Sequence, residues 1–344
     1  RHYSIPQIFR DARERDVLVE PEVWVRERVA ESIEHHLVAD VPVGLFLSAG
    51  IDSSAIASIA ATKTPLRTFT LSFAEFSEAP VAERFARELG TIHTTRTVTR
   101  DEFLADVPRF FERMDQPTID GVNTWFISKA VHEAGVKVAL SGVGGDELFG
   151  GYPSFANVPR IVRFPLAARM AGALRRHPKA KLIGKYGGTY GGAYFLLRGL
   201  FAPDALPALL GNDTAREGLE RLSLLPHFAS MLEPDPGTPF GRVATLEASL
   251  YMRNQLLRDA DWASMAHSVE VRTPLVDAFL LRQLAPVLLQ HRSKQVLAAH
   301  LPDYLRNRPK TGFFVPMTQW MELPPDDTST RMRSWAKRVW ESVA

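Results

Sequence analysis

Apolar residues along this chain alternate between a helical and a strand period, and the alternation repeats through the first 140 residues. Arg1 to Pro21 is polar without a sustained period and reads as a linker remnant. From Glu22, the positions Val25, Val29, Ile33 and Leu37 recur at helical spacing and stop at Asp40 and Pro42. An apolar run of strand length, Val43 to Leu47, follows. It breaks at a small, hydroxyl-rich turn, Ser48 to Ser54, and the apolar positions Ala55, Ile56, Ile59 and Ala60 then return to helical spacing. Leu66 to Phe73 predicts a second strand, the segment ending at Gly90 a helix, and His93 to Thr99 a third strand. Helices are predicted at about Asp101 to Met114 and Val122 to Ala134, and a buried strand at Val136 to Ser141. Strands alternating with helices predict a parallel, doubly wound α/β sheet with its ligand at the carboxyl ends of the strands.

Two turns at those ends carry the chemistry. In Ser48-Ala49-Gly50-Ile51-Asp52-Ser53-Ser54, backbone N–H groups at the start of a helix converge on a place for an anion. Ser48 and Ser53 add hydroxyl donors, and Asp52 can hold Mg2+. The turn has neither the Lys of a P-loop nor the third Gly of a dinucleotide fingerprint. The second turn, Leu140 to Tyr152, holds five glycines with Asp146 and Glu147. Two carboxylate-bearing turns at one sheet end could share a cation bound to phosphates, where Asp52 alone would be a weak anchor.

Composition narrows the class. The 344 residues, 45% apolar and 23% charged, can bury a large core, and the net charge of +2 provides no global field for nucleic acid or acidic lipid. Cysteine is absent, which removes disulfides, thiolate nucleophiles and Cys-ligated metals and suits a reducing, cytoplasmic setting. No apolar run reaches membrane-spanning length. The chain begins at Arg1, as a trimmed or processed fragment would.

The turn Ser48 to Ser54 resembles the SGGxDS pyrophosphate loop of ATP pyrophosphatases. With Leu140 to Tyr152, Ser249 to Asp277 and Lys310 to Trp320, the chain resembles the synthetase domain of the class B, glutamine-hydrolysing asparagine synthetase family, relatives of which include β-lactam and carbapenam synthetases and lasso-peptide cyclases. The resemblance spans roughly Val23 to Trp320. It implies an ATP-pyrophosphatase α/β core over residues 22–155, of the adenine nucleotide alpha hydrolase-like type, completed by a largely helical region over residues 156–344. It further implies ATP and Mg2+, activation of a small-molecule or peptide carboxylate as an acyl-adenylate, and attack by ammonia or an amine. By motif, pyrophosphate contacts fall on Ser48, Gly50, Asp52 and Ser53, and adenosine contacts on Leu47, Leu71, Ser141 and Gly142. The Mg2+ ligands fall on Asp52 and Asp146, and the catalytic cation on Lys310. A positive point charge at Lys310 would serve the charge that builds in adenylation.

The chain departs from that pattern in several places. Val143 stands where asparagine synthetases carry a Glu and β-lactam synthetases a Tyr, and Val cannot move a proton. Asp115 to Trp125 lacks the Arg that could pair with an amino-acid carboxylate, which puts aspartate as substrate in doubt. Ala49 replaces a Gly, at a cost of about 1 kcal/mol if positive φ is needed there. The glutaminase domain with its N-terminal Cys is missing, so ammonia would come from a separate or removed one. Asp259, Asp261, Glu270, Arg272 and Asp277 read mainly as structural ion pairs, with room for one catalytic carboxylate among them. Arg160 to Lys185, with eight Lys or Arg, reads as a solvated helix face rather than a nucleic-acid surface, and Met332, Trp335, Val339 and Val343 read as a helix packed on its own domain. Two further readings are an RNA-modifying enzyme of the same loop superfamily and a non-catalytic nucleotide-binding partner.

Overall fold

The computed structural model describes residues 3–15, 19–73, 77–167, 170, 180–291, 293–308, 315–323 and 332–343. Its centre is a five-stranded, wholly parallel sheet in the order β3-β2-β1-β4-β5, built from β1 (Val43–Phe46), β2 (Arg67–Phe73), β3 (Ile92–Val98), β4 (Val138–Leu140) and β5 (Glu270–Arg272). The first three strands progress outward from β1, and the fourth returns to its other side. The sheet is therefore doubly wound, with a switch point between β1 and β4.

Helices cover both faces. On one face α2 (Pro21–His36) and α3 (Ile51–Ala60) pack over β1, together with α4 (Ala79–Glu88) and the Ala278–Gln290 helix. Val25, Val29 and Ile33, the residues that set the predicted helical period, are all fully buried there. Each contributes roughly 1.5–3 kcal/mol by leaving water, which explains why an amphipathic stripe flanked by charge docks instead of fraying. On the other face α5 (Arg100–Arg113) and α6 (Val122–Glu133) meet β2 around Trp125, Trp262, Trp320 and Trp335. The Arg333–Val343 helix buries Trp335 and Val339 in that cluster, as its apolar spacing predicts. A third, smaller core in the helical C-terminal half gathers Val158, Ala193, Tyr194, Val243 and Leu246.

The N-terminal stretch differs from its reading as a linker. Within Arg1 to Pro21 a helix, α1 (Ile5–Ala12), buries Pro6, Phe9 and Ala12, and Phe9 sits edge-on to Phe240 at 6.2 Å. Eight residues are too short to show a sustained period, so the tertiary contact carries the helix. No single helix among the described residues is long and apolar enough to cross a membrane.

Candidate active site

The switch point places the two informative turns side by side. Residues 48–50 leave the end of β1 and enter α3, while residues 141–144 leave the end of β4 and enter α7 (Gly145–Phe149). The first turn is organised by its own hydroxyls. Ser48 Oγ lies 2.9 Å from Ser53 Oγ and accepts from the Gly50 N–H at 3.1 Å, and the Ser48 N–H donates to Ser53 Oγ at 3.1 Å. The second turn needs glycine for space and for conformation. A Cβ on Gly145 would overlap the Asp52 carboxylate, and Gly144 has φ +95° with a Cβ position only 2.6 Å from Val276. These glycines bring the backbone of one turn against the acid of the other.

Between the turns lies a cavity of about 340 Å³. Every nucleotide-contact position expected from sequence lines it: Leu47, Ser48, Gly50, Asp52, Ser53, Leu71, Ser141 and Gly142. Asp146 joins them. Leu47 and Leu71, with Phe46, Phe69 and Ile127, give the cavity apolar lining, and the serines and Asp52 give it polar lining. Val143 also lies in the wall.

Asp52 and Asp146 share one cation, and it comes from the protein. The Lys294 ammonium contacts Asp52 and lies 2.5 Å from Asp146 Oδ1, with all three side chains less than one-fifth exposed. Burial by itself would lower the Lys294 pKa, but the two carboxylates outweigh it and hold the ammonium above its ordinary value. Sequence reasoning missed Lys294. It stands 242 residues beyond Asp52, in a short segment without motif, and only the fold returns it to the site. Lys310, the cation expected from sequence, lies outside the described residues, as do four of the eight basic residues of the face expected within residues 160–185.

The two carboxylates fit a divalent cation in donor chemistry, since both already converge on a single positive charge. Phosphate oxygens and water would complete the coordination, because no group of three ligands is present among the described residues.

Two corrections concern single residues. Ala49 is buried with the core of α2 and α3, does not line the cavity and does not have positive φ. Its methyl therefore occupies packed space outside the cavity, and no strain attaches to it. Asp259, read mainly as a structural ion-pair member, is a buried wall residue of the cavity and hydrogen-bonds Thr118 at 2.8 Å and Trp262 at 3.0 Å. Its neighbours in the motif do have structural roles. Arg272 binds Glu270 and the carbonyls of His36 and Val38, and Asp277 caps the Ala278–Gln290 helix.

Comparison with known proteins gives this geometry a lineage. The family model for asparagine synthase matches residues 24–337. The chain belongs to the asparagine synthase family. A protein named putative asparagine synthetase [glutamine-hydrolyzing] of Mycobacterium tuberculosis (strain ATCC 25618 / H37Rv) is 32% identical over 320 residues, covering 85% of this chain and 47% of that protein. Asparagine synthetase [glutamine-hydrolyzing] 1 of Bacillus subtilis (strain 168) is 28% identical over 354 residues, covering 95% and 53%. An amidase of Penicillium rubens is 34% identical over 173 residues, covering 43% and 25%. The chain thus spans about half the length of the first two relatives. The asparagine synthase family assignment is consistent with the doubly wound sheet.

Proposed function

We propose that this chain is the synthetase portion of an ATP-dependent amide-forming ligase, with an ATP-pyrophosphatase core over residues 22–155 and a helical completion over residues 156–344. The observation that carries the reading is the meeting of Asp52 and Asp146, from two turns at the switch point, on one cation beside a hydroxyl-lined helix start. ATP would lie with its base against Leu47, Leu71 and the neighbouring apolar wall, and its phosphates toward Ser48, Gly50 and Ser53. Mg2+, held by Asp52 and Asp146, would neutralise the departing pyrophosphate.

The chain's own residues would orient and neutralise. Ser48 and Ser53 fix the turn so that the N–H groups at the start of α3 face the phosphates, and these donors are ready before charge develops. Lys294 is a described cation held at the two carboxylates, and if Mg2+ took its place there it would turn to phosphate oxygens, which makes it a second candidate beside Lys310. Attack of the substrate carboxylate on the α-phosphorus would give an acyl-adenylate and pyrophosphate. A neutral amine or ammonia would then displace AMP. Val143 has no proton to exchange, so the nucleophile must arrive neutral or lose its proton elsewhere. The acid, the amine and a glutaminase partner that would supply ammonia belong to this proposal, as does a cytoplasmic location.

The test is exchange of labelled pyrophosphate into ATP, dependent on Mg2+ and on a panel of carboxylic acids. Exchange with a small or peptide acid, lost in both Asp52→Asn and Asp146→Asn, supports the ligase. An RNA requirement, or no exchange with any acid, defeats it.

A further inference from the structure

The cavity wall carries more acid than the ligase reading uses. Five carboxylates line the cavity, Asp52, Asp120, Asp146, Glu147 and Asp259, and no Arg, Lys or His among the described residues does. Lys294 answers for Asp52 and Asp146. Among the described residues the other three meet neutral donors: Asp120 accepts from Tyr251 at 3.1 Å and Gln255 at 3.4 Å, Asp259 from Thr118 and Trp262, and Glu147 from Tyr152 at 2.8 Å.

Among the described residues, the cation whose charge reaches Asp120 is Arg198, and it is committed elsewhere. Arg198 binds the fully buried Glu247 with two hydrogen bonds, at 3.1 and 2.8 Å, and its guanidinium lies 4.2 Å and 4.1 Å from the ring centroids of Tyr152 and Tyr251. It stands behind the wall rather than in it. Glu147 supplies an independent sign that something is to be bound. It is 3% exposed, and its Oε2 is buried with no hydrogen-bond partner among the described residues, an acceptor that a ligand donor would satisfy.

Burial pushes the carboxyl of Asp259 up to about 7 and holds Asp120 above its usual range. Acids buried without a counter-charge are returned to their charged form by a cation, and one with several N–H donors also meets their acceptor oxygens. A primary ammonium has three donors on a small head that fits between short acid side chains. The absence of an Arg from Asp115 to Trp125 points the same way, because nothing there would hold a second carboxylate of an acyl substrate.

We propose that this wall, with Asp120 and Asp259 as counter-charges and Glu147 Oε2 as a further acceptor, receives a primary ammonium group carried by one of the two substrates. The inference rests on the ligase reading for the word substrate. The group has two possible sources, an amino-bearing acyl substrate or the amine nucleophile before it loses its proton.

Three measurements separate the outcomes. Without nucleophile, pyrophosphate exchange is compared for 3-aminopropanoic and 4-aminobutanoic acids against propanoic and butanoic acids. An acyl-borne ammonium makes the amino acids at least tenfold better, and Asp259→Asn and Asp120→Asn bring the ratio within threefold. A nucleophile-borne ammonium leaves the wild-type ratio flat, and both variants raise the KM for propylamine in product formation at least tenfold. The third measurement needs no turnover: calorimetric binding of propylammonium to the wild-type chain with ATP and Mg2+, against 1-propanol as neutral isostere. Preferential binding of propylammonium that both Asn variants lose, with no exchange on any acid, would defeat the ligase and keep the ammonium site. Propylammonium bound no better than 1-propanol by the wild type, or equally by wild type and both variants, overturns the inference whatever the exchange assay gives.

Discussion

Replacing Lys294 by Met keeps the length of the side chain and removes the charge that joins the two turns. Asp52, Asp146 and Lys294 are each less than one-fifth exposed, so the carboxylates left behind are poorly solvated and face one another. Removing one partner of a buried ion pair costs roughly 3–5 kcal/mol, and the residual exposure here puts the expected loss at the low end, about 3 kcal/mol. With 344 residues, and an unfolding entropy of roughly 2 cal/mol/K per residue, that loss lowers the melting midpoint by about 4 °C. Without nucleotide, Mg2+ should restore most of it in Lys294→Met, because the ion then meets two unneutralised carboxylates. In the wild type Mg2+ must compete with the ammonium and should shift the midpoint little. Calorimetric scans of both proteins, with and without 10-fold-stepped Mg2+, read the effect directly. Equal midpoints in the two proteins, or an equal Mg2+ response in both, would refute the argument that Lys294 occupies the shared cation position.

Three other outcomes follow from the same geometry. Ala49→Gly should cost about 1 kcal/mol in urea unfolding and leave ATP affinity unchanged, since the methyl is buried in the core and the backbone does not need glycine there; tighter ATP binding would contradict this. Gly145→Ala should reduce acid-dependent pyrophosphate exchange about 100-fold while moving the melting midpoint only a few degrees, because the new Cβ displaces the Asp52 carboxylate at the site. His267, buried beside the Trp125 ring and next to the positive Arg109, has its pKa lowered to about 4, first by burial. The unfolded chain therefore binds a proton between about pH 6.5 and pH 4 that the folded chain refuses, and stability from this residue is lost as pH falls through that window, by about 2–3 kcal/mol at pH 4. Asp259 and Glu147, raised to about 7, bind protons in the folded state over much of the same range and act in the opposite sense. His267→Gln compared with wild type isolates the histidine: its unfolding free energy should fall less steeply from pH 6.5 to 4, and parallel profiles would disprove the assignment.

The sequence by itself determined the local elements and which end of the sheet carries the two acid-bearing turns. The period of Val25, Val29 and Ile33 specified α2, and the apolar run before a hydroxyl-rich turn specified β1, the turn and α3, because helix and strand periods and turn chemistry are properties of neighbours along the chain. The alternation of those elements was enough to imply the sheet class and to put Asp52 and Asp146 at one end of it. Tertiary structure alone decided which distant groups those acids meet. Lys294 has no motif, α1 is too short to announce itself, and Asp259 sits among charged residues whose roles are structural, so none of the three carried a local signal. Each is placed by packing over long separations, α1 on the Ala278–Gln290 helix, Lys294 between the two turns and Asp259 opposite Thr118, where burial and charge depend on chain segments more than a hundred residues away. Periodicity can report which face of an element is buried. It cannot report which charge will be waiting there.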